Sequence, residues 1–170
     1  MYKRQAEEYA DKLTEILIDG REVIDVNNTV LNVVLNQKYR LAKSKDIALY
    51  FQVNDLSGLW MKEQDVVILL SNLLDNAIEA CEKLPVQERQ IYVQVVLNDN
   101  ELFYAVRNRS LPIDVSSDRL PVTTKENPSF HGYGLQNVQT TLAKYHSVYA
   151  MDYADGWFEF ATDLPNTLIS

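Results

Sequence analysis

Apolar positions along the chain recur at two periods, and the switches between them mark the elements. Residues 2–18, YKRQAEEYADKLTEILI, place Ala6, Tyr9, Ala10, Leu13, Ile16 and Leu17 at spacings of three and four. This spacing predicts an amphipathic helix, ended by Gly20. A second helix is expected over residues 28–43, capped by Asn27 or Asn28, with Val30, Leu31, Val34, Leu35, Tyr39 and Leu41 as its apolar face. IALYFQV, residues 47–53, reads as a strand. A third helix opens at Lys62 or Asp65 and ends at Pro85. Residues 91–97 and 101–108 flank Asn98-Asp99-Asn100, which is turn chemistry, so they form a hairpin. Residues 109–130 hold three prolines and no period, which makes a long loop, and structureless loops of that length are usually functional or disordered. A helix over 134–144 follows. Strands over 147–153 and 157–164 close the chain as a hairpin turning at Ala154-Asp155-Gly156.

Hairpin-joined strands with interspersed helices imply an α+β two-layer sandwich. Its sheet is mixed and mainly antiparallel, with helices on one face. A length of 170 residues suits one such domain with a short extra element. A net charge of −8 argues against nucleic acid as a partner, since phosphate backbones are held by clustered Lys and Arg. A nucleotide stays possible, because it needs only a few cations and backbone N–H groups. The single cysteine, Cys81, falls on an apolar arc and reads as a small core residue. No apolar run reaches the roughly 18 residues of a membrane span, and no signal peptide is visible.

The third helix carries an unusual stripe. With Asn72 at zero and about 100° per residue, Asn76 falls near 40°, Glu79 near −20° and Lys83 near 20°. Leu73, Leu74, Ala77, Ile78, Ala80 and Cys81 fill the rest of the wheel, and Asp75 and Glu82 point away and read as solvated. The plain reading is a polar outer face with a Glu79–Lys83 pair worth a few tenths of a kcal/mol. Against it, asparagine is a middling helix former, and two at i and i+4 suggest that their amides are used. A neutral oxygen ligand suits Mg²⁺, which shares its coordination with substrate phosphates. Two of the five glycines, Gly132 and Gly134, stand in HGYGLQNV at the start of the next helix. They fit either a tight cap or a phosphate cradle, and Asn72 and Asn76 favour the cradle.

NLLDNAIEAC resembles the asparagine box of the GHKL ATP-binding superfamily of histidine kinases, gyrase, Hsp90 and MutL, and HGYGLQNV resembles its second glycine box. More closely, the chain looks like the catalytic portion of peptide-sensing, accessory-gene-regulator-like sensor histidine kinases. VLNVVLNQKYRLAKSKDI, SNLLDNAIEAC, TTKENPSFHGYGLQNV and DGWFEF are the stretches that carry this likeness. The resemblance implies the Bergerat ATP-binding fold and a role for ATP and Mg²⁺. Asn76 would hold the Mg²⁺ and Asn72 would line the same site. Gly132, Tyr133, Gly134 and Leu135 would border the phosphates, with Lys125 and His131 reaching phosphate oxygens. Residues 111–130 would be a lid. The gyrase-like branch has a glutamate base at position 72; an asparagine there fits a kinase that keeps ATP from water.

Two departures stand out. The superfamily's first glycine box is absent, and Asn108 in AVRNRSLPID stands where an aspartate would accept a bond from the adenine amino group. An asparagine oxygen can accept that bond, but more weakly than a charged one. The two histidines, His131 and His146, both lie outside the first helices, where the phosphoacceptor would be expected. The resemblance therefore implies a division into residues 1–26, the tail of a dimerisation and phosphotransfer helix, and 27–170, the ATP-binding catalytic domain. The partners implied are a phosphoacceptor helix of the same or a partner subunit and a response regulator. The implied setting is the cytoplasmic portion of a membrane-bound sensor that is a homodimer at full length. The rival readings are a degenerate GHKL domain serving only dimerisation and interaction, and a MutL-like ATPase, disfavoured by Asn72.

Overall fold

The computed structural model describes residues 14–15, 24–115 and 128–169, with backbone alone for 14–15 and 128–133. In order these residues form β1 (Thr14–Glu15), α1 (Thr29–Ser44), β2 (Ala48–Val53), α2 (Glu63–Glu82), β3 (Gln90–Leu97), β4 (Glu101–Arg109), α3 (Pro128–Lys144), β5 (Tyr149–Ala154) and β6 (Trp157–Pro165). The sheet order is β1-β2-β3-β4-β6-β5. Among the described strands only the β2–β3 pairing is parallel, and α2 is the crossover that such a pair requires. The result is the expected α+β two-layer sandwich with a mixed, mainly antiparallel sheet.

Strand alternation separates the two faces. Leu49, Phe51, Val53, Ile91, Val93, Val95, Leu102, Tyr104, Val106, Phe160 and Leu164 are buried in one cluster with Leu69, Leu70, Leu73, Leu74, Ala77 and Ile78 of α2. On the opposite face Tyr50 and Tyr92 stay open and stack with ring centroids 4.9 Å apart. Arg107 and Arg109 lie over the Trp157 ring, at 4.5 and 5.2 Å. Trp157 is therefore part of strand packing, and the two arginines are engaged rather than loose counter-charges.

Local chemistry sets the element ends. Asn28 caps α1, its Oδ1 accepting from Leu31 N–H at 3.0 Å. α1 and α3 both end in the same hydrogen-bonded cap. Asp46 N–H and Ile47 N–H donate to the Lys43 and Ala42 carbonyls, and His146 and Ser147 repeat this on Ala143 and Leu142. The cap requires a left-handed residue, and Asp46 (φ 54) and His146 (φ 51) occupy that position. In the β5–β6 turn Asp155 (φ 52) and Gly156 (φ 81) both take left-handed backbone, as a two-residue hairpin needs. A Cβ on Gly156 would also stand 2.8 Å from Arg109 Nη1.

Three expectations are corrected. Thr14 and Glu15, expected in a helix over 2–18, form an edge strand paired antiparallel with Val53 and Gln52. The open hydrogen-bonding edge of β2 outweighs a weak helical preference there; the remainder of 2–18 lies outside the described residues. α3 begins at Pro128, six residues before the expected start, so Gly132 and Gly134 lie inside the helix rather than ahead of it. Proline suits a first helical position, and one or two glycines weaken a helix without breaking it. Asp75 and Glu82 are not merely solvated, since they bond Lys38 and Lys45 and tie α2 to α1.

Candidate functional site

α2 and α3 meet at Gly134. A Cβ there would stand 3.1 Å from Asn72 Oδ1, so a side chain at 134 would require the Asn72 amide to give way. Asn72 is itself anchored, its Nδ2 donating to the Ile68 carbonyl 2.8 Å away on its own helix. That bond turns Oδ1 toward α3.

One turn further along α2, Asn76 is half-buried. Its Nδ2 is the one buried side-chain nitrogen or oxygen without a hydrogen-bond partner among the described residues. Leaving such a group unpaired costs about 1–3 kcal/mol, and a ligand beside it relieves that cost. Turning the amide end for end brings its carbonyl oxygen to the same place as a neutral metal ligand. Among the described residues no three His, Cys, Asp or Glu gather as a self-sufficient metal cage. The donor set therefore fits Mg²⁺ held through one amide oxygen, phosphate oxygens and water.

Asn108 lies in β4, paired with Ile91 and Phe158, on the sheet face that α2 covers. It is 2% exposed, not a turn residue. Its Nδ2 donates to the Arg109 carbonyl at 3.0 Å, so the amide offers its oxygen as the acceptor. The Cys81 thiol donates to the same carbonyl and to that of Gln90, each at 3.5 Å. One carbonyl thus joins Asn108 to the C-terminal part of α2. Burial pushes the Cys81 thiol up to about 11, which makes it a packing group and not a nucleophile.

Around α2 the structure therefore gathers Asn72, Asn76, Asn108 and Gly134. Leu135 is half-buried and packs against the core. His131, Gly132 and Tyr133 lie in the first half of α3, with their side chains outside the described residues. Lys125 also lies outside them. Of the expected lid, 128–130 belong to α3 instead.

A buried cluster fixes the helix pair at its other end. Asp65, in the first turn of α2, accepts from Tyr145 Oη at 2.7 Å and Lys144 Nζ at 3.0 Å. Burial pushes its carboxyl up, but the bonds from Tyr145 and Lys144, with the charges of Lys144 and Lys62, outweigh this and hold it below the usual range. Burial first, then the Asp65 bond and charge, raise Tyr145 to about 12. Asp65 gave no sign of this in the sequence, where it read only as an acidic residue opening a helix. Its partners lie 79 and 80 positions away.

Residues 61–165 match the GHKL domain family, and the chain belongs to it. The match spans all of α2 and runs into β6, so it includes Asn72, Asn76, Asn108 and Gly134. The fold is that of a histidine-kinase-like ATP-binding domain. Among solved structures, a nucleotide-free form of the catalytic domain of histidine kinase ThkA superposes with a TM-score of 0.65, at 17% identity over 91% of this chain and 96% of that one. Another nucleotide-free form gives 0.62, at 19% identity over 81% and 95%. At such identities the likeness concerns the fold. No curated protein matches by sequence.

Proposed function

We propose that this chain is the catalytic domain of a two-component sensor histidine kinase of the peptide-sensing, accessory-gene-regulator-like group. Residues 27–170 form the ATP-binding unit in this reading, and 1–26 belong to the dimerisation region. The supporting observation is the unpartnered amide of Asn76, one turn from the Asn72–Gly134 contact. Bound ATP with Mg²⁺ would supply the γ-phosphoryl group and the charge that neutralises it. Asn76 would give the metal its amide oxygen. Asn108 would accept from the adenine amino group through the oxygen that its Arg109 bond leaves available. The first turn of α3 would face the phosphates with its free backbone N–H groups and the positive end of its dipole, and Lys125 and His131 would add cationic or N–H donors. Asn72 has no basic site that could activate water, so ATP persists until a histidine arrives. That histidine would come from the dimerisation region of the same or a partner subunit. The phosphoryl group would then pass to a response regulator, in the cytoplasmic portion of a membrane-bound homodimer.

The test is phosphoryl transfer. The chain is mixed with a separately prepared dimerisation region carrying its histidine, Mg²⁺ and γ-labelled ATP. Acid-labile, base-stable label on that region is expected. Nucleotide binding without any such label contradicts the kinase reading and leaves the ATP site standing.

A further inference from the structure

A cavity of about 680 Å³ opens at the far end of the α2–α3 pair, beside the start of α2 and the residues that follow β6. Lys62 lies ten residues before Asn72, roughly 15 Å along the helix direction, so the cavity is separate from the nucleotide site. Its size falls in the range of small-molecule pockets.

The walls are of two kinds. Lys62, Lys144 and His146 line one part, and Pro165, Leu168 and Ile169 another. None of the described lining residues is acidic, in a chain of net charge −8. Asp65 is the carboxylate beneath them, and both its oxygens are engaged, by Tyr145 and Lys144. Lys144 keeps 46% of its side chain exposed despite that pair. Two ammonium groups against one carboxylate leave a single positive charge, and the N-terminal end of the α2 dipole and the C-terminal end of the α3 dipole act there with opposite signs. Leu168 is 65% exposed and supplies an apolar surface. The left-handed backbone of His146 (φ 51) is set by the cap of α3, and it holds an imidazole at the rim where glycine would be the relaxed choice.

We propose that this cavity binds a small amphiphilic monoanion, with a carboxylate head between Lys62 and Lys144 and a hydrocarbon body along Leu168 and Ile169. One surplus positive charge matches a carboxylate better than a phosphate dianion. The apolar wall gives the tail a place that free phosphate would not use.

The probe is sodium decanoate below its micelle concentration, with 1-decanol and inorganic phosphate as controls, titrated into the full chain and followed by amide resonance shifts. Decanoate is expected to move the resonances of His146, Leu168 and Ile169, and to bind at least tenfold more tightly than either control. Lys62→Glu and Leu168→Asp should each weaken it at least tenfold; the second variant, at an exposed position, keeps the test open if the first does not fold. A magnesium-bound ATP analogue should not compete. Equal binding of decanol, unchanged affinity in the folded variants, or shifts centred on Asn72 and Asn76 would each overturn the proposal.

Discussion

The side-chain oxygen of Asn72 lies 3.1 Å from where a methyl group on Gly134 would sit, so α2 and α3 pack closely where that side chain is absent. Inside a helix, glycine is less favourable than alanine by roughly 0.5–1 kcal/mol. Overpacking typically costs about 1–3 kcal/mol. The clash should therefore win: Gly134→Ala is expected to lower stability by about 1 kcal/mol. In an Asn72→Ala background the sign should reverse, to a gain of roughly 0.5–1 kcal/mol. Urea midpoints of the four proteins measure the coupling. The same gain in both backgrounds would mean that the contact limits nothing.

The Asp65 cluster predicts how stability follows pH. Asp65 has a depressed folded pKa, so its contribution is fully present above the unfolded value of about 4 and is lost as pH falls through the folded value. Asp65→Asn should cost about 1–3 kcal/mol at neutral pH, with the difference from the parent protein shrinking below about pH 4. Tyr145 has a raised folded pKa of about 12, so its contribution is present below about pH 10 and declines between there and 12. Tyr145→Phe should flatten part of that alkaline decline, and buried Tyr104, also raised by burial, should keep the rest. Denaturant midpoints across pH check both limbs. A Tyr145→Phe curve parallel to the parent's at high pH would separate Tyr145 from Asp65.

Asn108 should show opposite effects on stability and on binding. An aspartate there cannot donate to the Arg109 carbonyl, and it would place a carboxylate at a position only 2% exposed. Asn108→Asp is therefore expected to destabilise the nucleotide-free protein by about 1–3 kcal/mol. A charged acceptor makes a stronger bond to an amino group, so adenine nucleotide should bind more tightly, on the order of tenfold. Melting without nucleotide and titration with it give the two readouts. Unchanged melting would mean that the Arg109 bond does not orient the amide.

Much of this was legible because local chemistry carried it. Asn28 as a cap, the Asn98 and Asp155-Gly156 turns and the alternation in β2, β3 and β4 all act over a few residues, and each stands where the pattern places it. The α2 stripe was legible for the same reason, since helical period alone aligns Asn72 with Asn76. The start of α3 was not. Gly132 and Gly134 read as a cap or a phosphate cradle at the helix start, because the contact of Gly134 with Asn72 lies on another helix, some 60 positions earlier. β1 was hidden in a similar way, as its partner is the free edge of β2. Nor could a list of residues show that Asp75, Glu82 and Asp65 find lysines across the fold.

The central claim is that Asn76 and the first half of α3 hold the phosphates and metal of ATP. A calorimetric titration with a non-hydrolysable ATP analogue, with and without Mg²⁺, tests it most directly. Magnesium-dependent binding is predicted with a dissociation constant in the high micromolar range, about −5 to −6 kcal/mol. Asn76→Asp and Gly132→Val should abolish it and Lys12→Ala should leave it unchanged. No binding at millimolar nucleotide, or equal binding by Asn76→Asp, would contradict the account.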